Sequence, residues 1–417
     1  MEKELRKGHP IEQEMGMIYY CSKTDGIGGK LRNSPFDFIV EEILPEGRKI
    51  DIFDERFSLG KDEPGLFTEF ILIKKAVESH RALTLLSEEL GVSTEDINFA
   101  GTKDKMAYTA QRATVFNVPK EKLLDVNISG LEIRAPRTTV YRNYLGNLYG
   151  NHFIINIKEL EDEKESIKYK IHEIKKEIDR FGGIPNYFGH QRFGARRPIS
   201  HEVGKQLILN NVEEAVRLYL GKVYPNESDA VKKARAIYNE TDDCRAARKA
   251  FPNNMFFERR ILEYLEKRAN DFIGAFYTLP KNLMKIYVHA YQSYIWNLTV
   301  SKIMKEEGNF KRYFKKNKKK TLPIVGYKTN LKKCPYGEYI KELLAKDGVK
   351  QKNFKIKKLH HLKLSGTERA IAISPKNLTI KMNQNQEIYV TADFTLESGS
   401  YATVVLREIM KTNPIDF

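Results

Sequence analysis

The spacing of apolar and polar positions divides the chain into a strand-rich part, a helical part and a strand-rich end. After some twenty residues without a clear pattern, Phe36, Phe38 and Val40 alternate with Asp37, Ile39 and Glu41, predicting a strand entered through Pro35. LFTEFILIK (Leu66 to Lys74) reads as a second strand. Ser79 is placed to cap a helix that carries Leu83, Leu86 and Leu90 and closes at Gly91. A short apolar run (Ile97, Phe99, Ala100) ends at Gly101, polar residues follow, and a run rich in Thr and aromatics resumes at Tyr108. That pattern predicts strand, tight turn, strand. GNHFIINI (Gly150 to Ile157) ends this first part.

Ile167, Ile171, Ile174, Ile178 and Phe181 then repeat at helical spacing until Gly182-Gly183, an apolar stripe one seam wide that suits a helix lying across a sheet. From about Ser200 to Glu307 the pattern is helical almost throughout, with N-cap candidates at Ser200, Asn211 and Ser228, a stop at Gly221, and no Pro or Gly from Lys281 to Glu307. Strands return at Ala370 to Ile373, Leu378 to Met382 and Glu387 to Leu396, and a final helix begins at Ser400. The fold class is α+β. Strands at both ends with helices between predict one sheet domain (1–187 and 386–417) interrupted by a largely helical insertion (188–385). A chain of 417 residues exceeds what one core usually serves.

Composition adds little until charge is considered. No apolar run approaches the ~20 residues that span a bilayer, and MEKELRKGHP is charged from its second residue, unlike a secretory signal, so a cytoplasmic protein is expected. Cys21, Cys244 and Cys334 lie far apart and are odd in number, which argues against a disulfide framework or a Cys-x-x-Cys zinc site. The net charge of +16 calls for an anionic partner, nucleic acid first. Between Ser301 and His360 there are 19 Lys and Arg against 5 Asp and Glu, and KRYFKKNKKK (Lys311 to Lys320) is the densest part. Its Lys315, Lys316, Lys318, Lys319 and Lys320 are candidate phosphate contacts, and Tyr313 and Phe314 could stack on unpaired bases. A solvated lysine-rich loop would look the same in sequence.

The chemistry centres on FAGTKDKMAYTAQ (Phe99 to Gln111), where Asp104 sits on the predicted turn. Strands fix such a loop and the loop exposes its side chain, yet Asp is also a common turn residue that bonds its own backbone. No HExxH, GxxxxGK[ST] or strand-to-helix GxGxxG is present; GIGG (Gly26 to Gly29) lacks phosphate-loop spacing and reads as a flexible turn.

Four strings in order resemble the TruD-type transfer RNA pseudouridine synthases: GKLRNSPFDFIVEE (Gly29 to Glu42), GTKDKMAYTAQ, PNYFGHQRFG (Pro185 to Gly194) and FTLESGSYATVVLRE (Phe394 to Glu408). AYQSYIWNLTV (Ala290 to Val300) also looks like a family string, with helix packing its expected use. The resemblance implies a pseudouridine synthase catalytic domain with a mixed, mainly antiparallel sheet, an inserted family-specific domain, and isomerisation of uridine 13 in the D arm of tRNA. It implies Asp104 as nucleophile, Arg32 at the basic position of the first motif, and Phe38, Asn151, Phe153 and Phe394 around the base. Arg192, Arg196 and Arg197 are then RNA phosphate contacts or braces of the catalytic loop, and His190 is structural. Neither metal nor organic cofactor is expected, because a carboxylate suffices for this isomerisation. Pro35-Phe36-Asp37-Phe38 departs from the frequent Pro-Glu-Asp-Phe, and Thr102 replaces the bacterial Gln, which suggests the archaeal and eukaryotic branch. The alternative from another class is a non-catalytic RNA-binding or RNA-remodelling protein of the same fold.

Overall fold

The structure is a computed structural model that describes residues 5–194, 197–317, 320–384 and 387–414. It divides into two compact units. One comprises residues 25–173 and 374–412; the other comprises residues 1–24 and 174–373.

The first unit is built on an eight-stranded mixed sheet. Its strands are β1 (Phe38–Ile43), β2 (Phe67–Lys75), β3 (Ile97–Phe99), β4 (Tyr108–Phe116), β5 (Leu131–Thr139), β6 (Gly150–Ile157) and the late strands Lys376–Gln384 and Ile388–Glu397. The order runs Lys376–Gln384, Ile388–Glu397, β6, β1, β4, β2, β5, with β3 paired to β4 beside that path. Only the central β1–β4 pair is parallel among these strands. The late strands join through β6, so the two ends of the chain share one sheet.

The predicted strand from Phe36 begins later. Ser34 caps a short 3-10 turn (Pro35–Asp37), in which Pro35 supplies the helical φ, and the strand starts at Phe38. The helix predicted from Ser79 runs Ser79–Leu90 and ends on Gly91 in the left-handed region, but Glu78 is its N-cap, accepting from His80 and Arg81. Gly26 to Gly29 is not a flexible turn. A Cβ on Gly26 would lie 1.9 Å from the Met410 carbonyl oxygen, and Gly28 N–H donates to that carbonyl at 3.0 Å. Bare backbone packs there against the end of the Ala402–Met410 helix.

The second unit is organised on the 27-residue helix Lys281–Glu307, whose bounds match the stretch free of Pro and Gly. The Ser200–Ile208 helix lies against it so closely that a Cβ on Gly204 would meet the Tyr287 carbonyl oxygen at 2.0 Å. Neither Ser200, Asn211 nor Ser228 makes a side-chain cap; Ile199 holds the N-cap place before Ser200. The first 24 residues, grouped with the strands on sequence pattern, cluster with this unit instead. Met15, Met17 and Tyr20 are buried, and Asn297 and Ser301 of the long helix donate to the Met15 and Gly16 carbonyls. Residues 174–187 also fall here, whereas residues 374–384 fall with the sheet, because Lys376–Gln384 adds an edge strand to it. No helix among the described residues is long and apolar enough to cross a membrane.

Candidate active site

Residues directly opposite on paired strands share a face of the sheet, so the register fixes which side chains meet. Val40 stands opposite both Thr109 and Phe153, Phe153 opposite Phe394, and Glu42 opposite Asn151; Lys74 and Leu72 stand opposite Thr109 and Gln111. Alternation adds Phe38. One face of the sheet therefore carries Phe38, Glu42, Lys74, Thr109, Gln111, Asn151, Phe153 and Phe394, drawn from five strands.

Asp104 lies in the loop between the antiparallel strands β3 and β4, as the sequence pattern requires. The residue before it anchors that loop at three points. Ser79 Oγ donates to the Lys103 carbonyl at 2.9 Å and accepts from its N–H at 3.0 Å, while Lys103 Nζ donates to Glu42 Oε2 at 2.9 Å. Both charged side chains are buried, 4% and 0% exposed. Glu42 Oε1 also accepts from the Arg112 N–H, so each carboxylate oxygen has a partner. Lys103 points into the protein; Asp104, its neighbour, keeps a half-exposed carboxylate.

Arg32 reaches that carboxylate, Nη2 to Oδ2 at 2.8 Å, and its guanidinium lies over the Phe38 ring at 4.6 Å. With its partner half exposed, this pair contributes at most about 1 kcal/mol to stability. Yet Arg32 has φ of 64°, a backbone conformation that costs a non-glycine residue about 1–2 kcal/mol. Strain held by a residue that aims a cation at an accessible carboxylate points to function rather than to folding.

Beneath the guanidinium the phenylalanines form a wall. Phe38 meets Phe153 edge-on at 6.4 Å, and Phe153 stacks on Phe394 at 5.5 Å. Phe38 and Phe394 are 1% and 0% exposed, so Phe394 offers no surface to a ligand and acts through the ring of Phe153, itself 8% exposed. Four buried polar atoms in this region have no hydrogen-bond partner among the described residues: Arg32 Nε, Thr109 Oγ1, Gln111 Oε1 and Asn151 Oδ1. Each such group costs about 1–3 kcal/mol when left unmade, and a run of them on one face marks a place that a polar ligand completes.

Lys74 had no place in the motif reading. It is 1% exposed, its Nζ donates to the Val77 carbonyl at 2.9 Å, and burial brings it from 10.5 down to about 8, with Lys103 acting in the same direction and Glu78 and Asp104 in the opposite one. A Lys and a Glu inside otherwise apolar strands were the available signal for Lys74 and Glu42. Among the described residues no three His, Cys, Asp or Glu side chains gather as a metal site.

The other predicted residues separate. Arg197 is an internal brace and not a phosphate contact: its Nη2 donates to the carbonyls of Leu218, Tyr219 and Lys222, at the end of the Val212–Gly221 helix. Burial, followed by repulsion from Arg235, lowers its pKa. His190 is buried beside Glu12, Nε2 to Oε1 at 3.3 Å. Arg192 lies over the Phe188 ring at 5.5 Å and lines a cavity. In the basic segment, Tyr313 is fully buried and belongs to the core, while the partly buried Phe314 stacks on the buried Phe310. Lys315, Lys316 and Lys320 are exposed, and Lys316 also pairs with Glu307 at 2.8 Å. Arg196, Lys318 and Lys319 lie outside the described residues.

A mixed sheet shared by both ends of the chain, with a largely helical stretch between them in sequence, is the architecture of a pseudouridine synthase domain with an insertion, and the comparisons with known proteins agree. The family model "tRNA pseudouridine synthase D (TruD)" matches residues 14–318 and 310–409. A Methanococcoides burtonii protein named "Probable tRNA pseudouridine synthase D" is 32% identical over 443 residues, covering 97% of this chain and 98% of its own. An Archaeoglobus fulgidus protein of the same name is 32% identical, covering 96% of this chain and 99% of its own. A crystal structure of a Methanosarcina mazei protein carrying the same family name superposes with a TM-score of 0.78 at 29% identity, covering 98% of this chain and 100% of that one. The chain belongs to the TruD family of tRNA pseudouridine synthases.

Proposed function

We propose that this chain isomerises uridine 13 in the D arm of tRNA to pseudouridine, with Asp104 as the nucleophile. The observation that carries this reading is the Arg32–Asp104 contact at 2.8 Å, set above the aromatic wall and beside the four unpartnered polar atoms. In the proposed reaction the bond from uracil N1 to ribose C1′ breaks, the base turns, and C5 joins C1′; C5 gives up its proton and N1 gains one, so the product is an isomer. Asp104 adds covalently to the sugar or to the base and is released unchanged. Arg32 holds the carboxylate aimed through its 2.8 Å contact.

The target uridine leaves its stack to reach this face. Phe153, backed by Phe394 and met edge-on by the buried Phe38, lies against the extruded base. Asn151 has both a donor and an acceptor for the uracil edge, and its orphaned Oδ1 suits an imide N–H. Thr109 and Gln111, themselves buried, form the polar floor beneath the base. Lys315, Lys316 and Lys320 are proposed as long-range phosphate contacts.

Base-resolved pseudouridine mapping of unmodified tRNA incubated with the protein in EDTA, beside Asp104→Asn, tests the reading. Conversion at one D-arm uridine by the wild type alone is expected. Binding without conversion by the wild type would favour an RNA-remodelling protein, and equal conversion by Asp104→Asn would remove the nucleophile.

A further inference from the structure

Two family-like strings, PNYFGHQRFG and AYQSYIWNLTV, have no part in the face that carries Asp104, yet they converge within the helical unit. Asn297 joins them: its Oδ1 accepts from the Phe188 N–H at 2.8 Å and its Nδ2 donates to the Phe188 carbonyl at 3.0 Å. The segment around Phe188 is thereby pinned beside the Lys281–Glu307 helix, and a cavity of about 430 Å³ opens between them and residues 361–367.

The lining of this cavity is one-signed. Arg192, Lys285, His289, His361 and Lys363 line it, together with Gln292 and Ser293, and none of the lining residues is Asp or Glu. Among the described residues no carboxylate pairs with Lys285 or Lys363. Burial holds both histidines below their ordinary value; at His289 the Gln292 hydrogen bond opposes it and Arg192 and Lys285 add to it, and at His361 Lys281 and Lys285 add to it. Lys285 and Lys363, with no carboxylate beside them in the concavity, leave a positive potential that an anion relieves. At its edge the half-exposed Tyr277 lies against His361, ring centres 5.4 Å apart. An aromatic face beside a cation-lined cavity matches a nucleotide of single-stranded RNA better than a bare anion.

We infer that this cavity is a second RNA foothold, in which Arg192, Lys285 and Lys363 hold the phosphates of an unpaired nucleotide whose base stacks on Tyr277. The site rests on tRNA being the substrate, not on the role of Asp104. It gives Arg192 of the PNYFGHQRFG string a defined cavity in which to meet a phosphate.

The test is tRNA binding by the full chain as a function of salt, which needs no turnover. Lys285→Gln with Lys363→Gln is expected to weaken binding about ten-fold and make the slope of log K against log salt shallower by about 1.5, the share of two phosphate contacts. Tyr277→Ala is expected to weaken binding several-fold with the slope unchanged. All three positions are exposed, and thermal melts check that the variants stay folded. A control pair with the same charge loss, Lys233→Gln with Lys249→Gln, should do less. Unchanged binding in the first pair, or equal weakening by the control pair, overturns the proposal. Equilibrium dialysis with ATP separates the sources of phosphate: saturable ATP binding as tight as tRNA would make this a free-nucleotide site and overturn the RNA assignment. If wild type forms no pseudouridine but the Lys285 and Lys363 pair still loses tRNA binding, the catalytic reading fails and this one stands.

Discussion

Ser79 Oγ closes both backbone hydrogen-bonding groups of Lys103 at once, donating to the carbonyl and accepting from the N–H. The helix that begins at Ser79 thus fastens the residue preceding Asp104, and the buried Glu42 fastens the same residue by its side chain. The loop that bears the proposed nucleophile is held by its neighbour, so the carboxylate itself stays open to a substrate.

Ser79→Ala would leave two buried backbone groups unpaired. It is expected to cost about 1–3 kcal/mol, read from urea unfolding. Because the clamp positions Asp104 and does not touch RNA, kcat should fall at least ten-fold with KM nearly constant. A raised KM with kcat intact would show that the clamp serves binding instead.

Arg32 offers a separation of stability from activity. Arg32→Gly removes the left-handed strain and an ion pair of at most about 1 kcal/mol, so the melting midpoint should move by only a few degrees in either direction. Pseudouridine formation should drop at least a hundred-fold in single turnover. An active Arg32→Gly would reduce Arg32 to a surface contact.

Lys74 sets an expectation for pH. Burial brings its pKa to about 8, so its charge near Asp104 is largely present at neutral pH and fades above pH 8. The single-turnover rate should decline two- to five-fold between pH 7 and 9, and Lys74→Met should flatten that limb. Because the folded pKa lies below the unfolded 10.5, the unfolded chain binds more protons between them and stability rises with pH from about 8 to 10.5. A wild-type rate that stays level to pH 9 would detach Lys74 from the site.

The opposite face of the sheet holds a second pH-sensitive group. His152 bridges Glu41 and Asp393, each at 2.8 Å; burial opposes its charge, but those hydrogen bonds outweigh it and raise its pKa above 6.5. Its contribution is present below pH 6.5 and disappears as pH rises through the folded value. Glu41 is lowered below 4.5, where burial is outweighed by His152, the Ile52 N–H and Lys49, so its contribution is full above 4.5 and is lost as pH falls through the lower folded value. Stability should decline from pH 6 to 8 in the wild type and less so in His152→Gln; parallel profiles would exclude the bridge as the cause.

Much of this protein is legible in its sequence because the signals are local. The long helix from Lys281, the strand–turn–strand around Asp104, the left-handed stop at Gly91 and the interrupted-sheet organisation each follow from periodicity or from one residue's backbone preference. The motif strings placed Arg32 and Asp104 in one site before any distance was known. What the sequence did not disclose depends on partners distant along the chain. Ser79 reads as a helix cap and is a clamp on Lys103, 24 residues away. Arg197 reads as a phosphate contact or a brace of the catalytic loop, and its guanidinium is taken up by carbonyls 21 to 25 residues away. Tyr313 reads as a stacking platform, yet the short helix it occupies turns it inward. Only the strand register put Lys74, Thr109 and Gln111 on the face of Asn151 and Phe153, since a shift of one residue would have turned each strand's side chains to the other side.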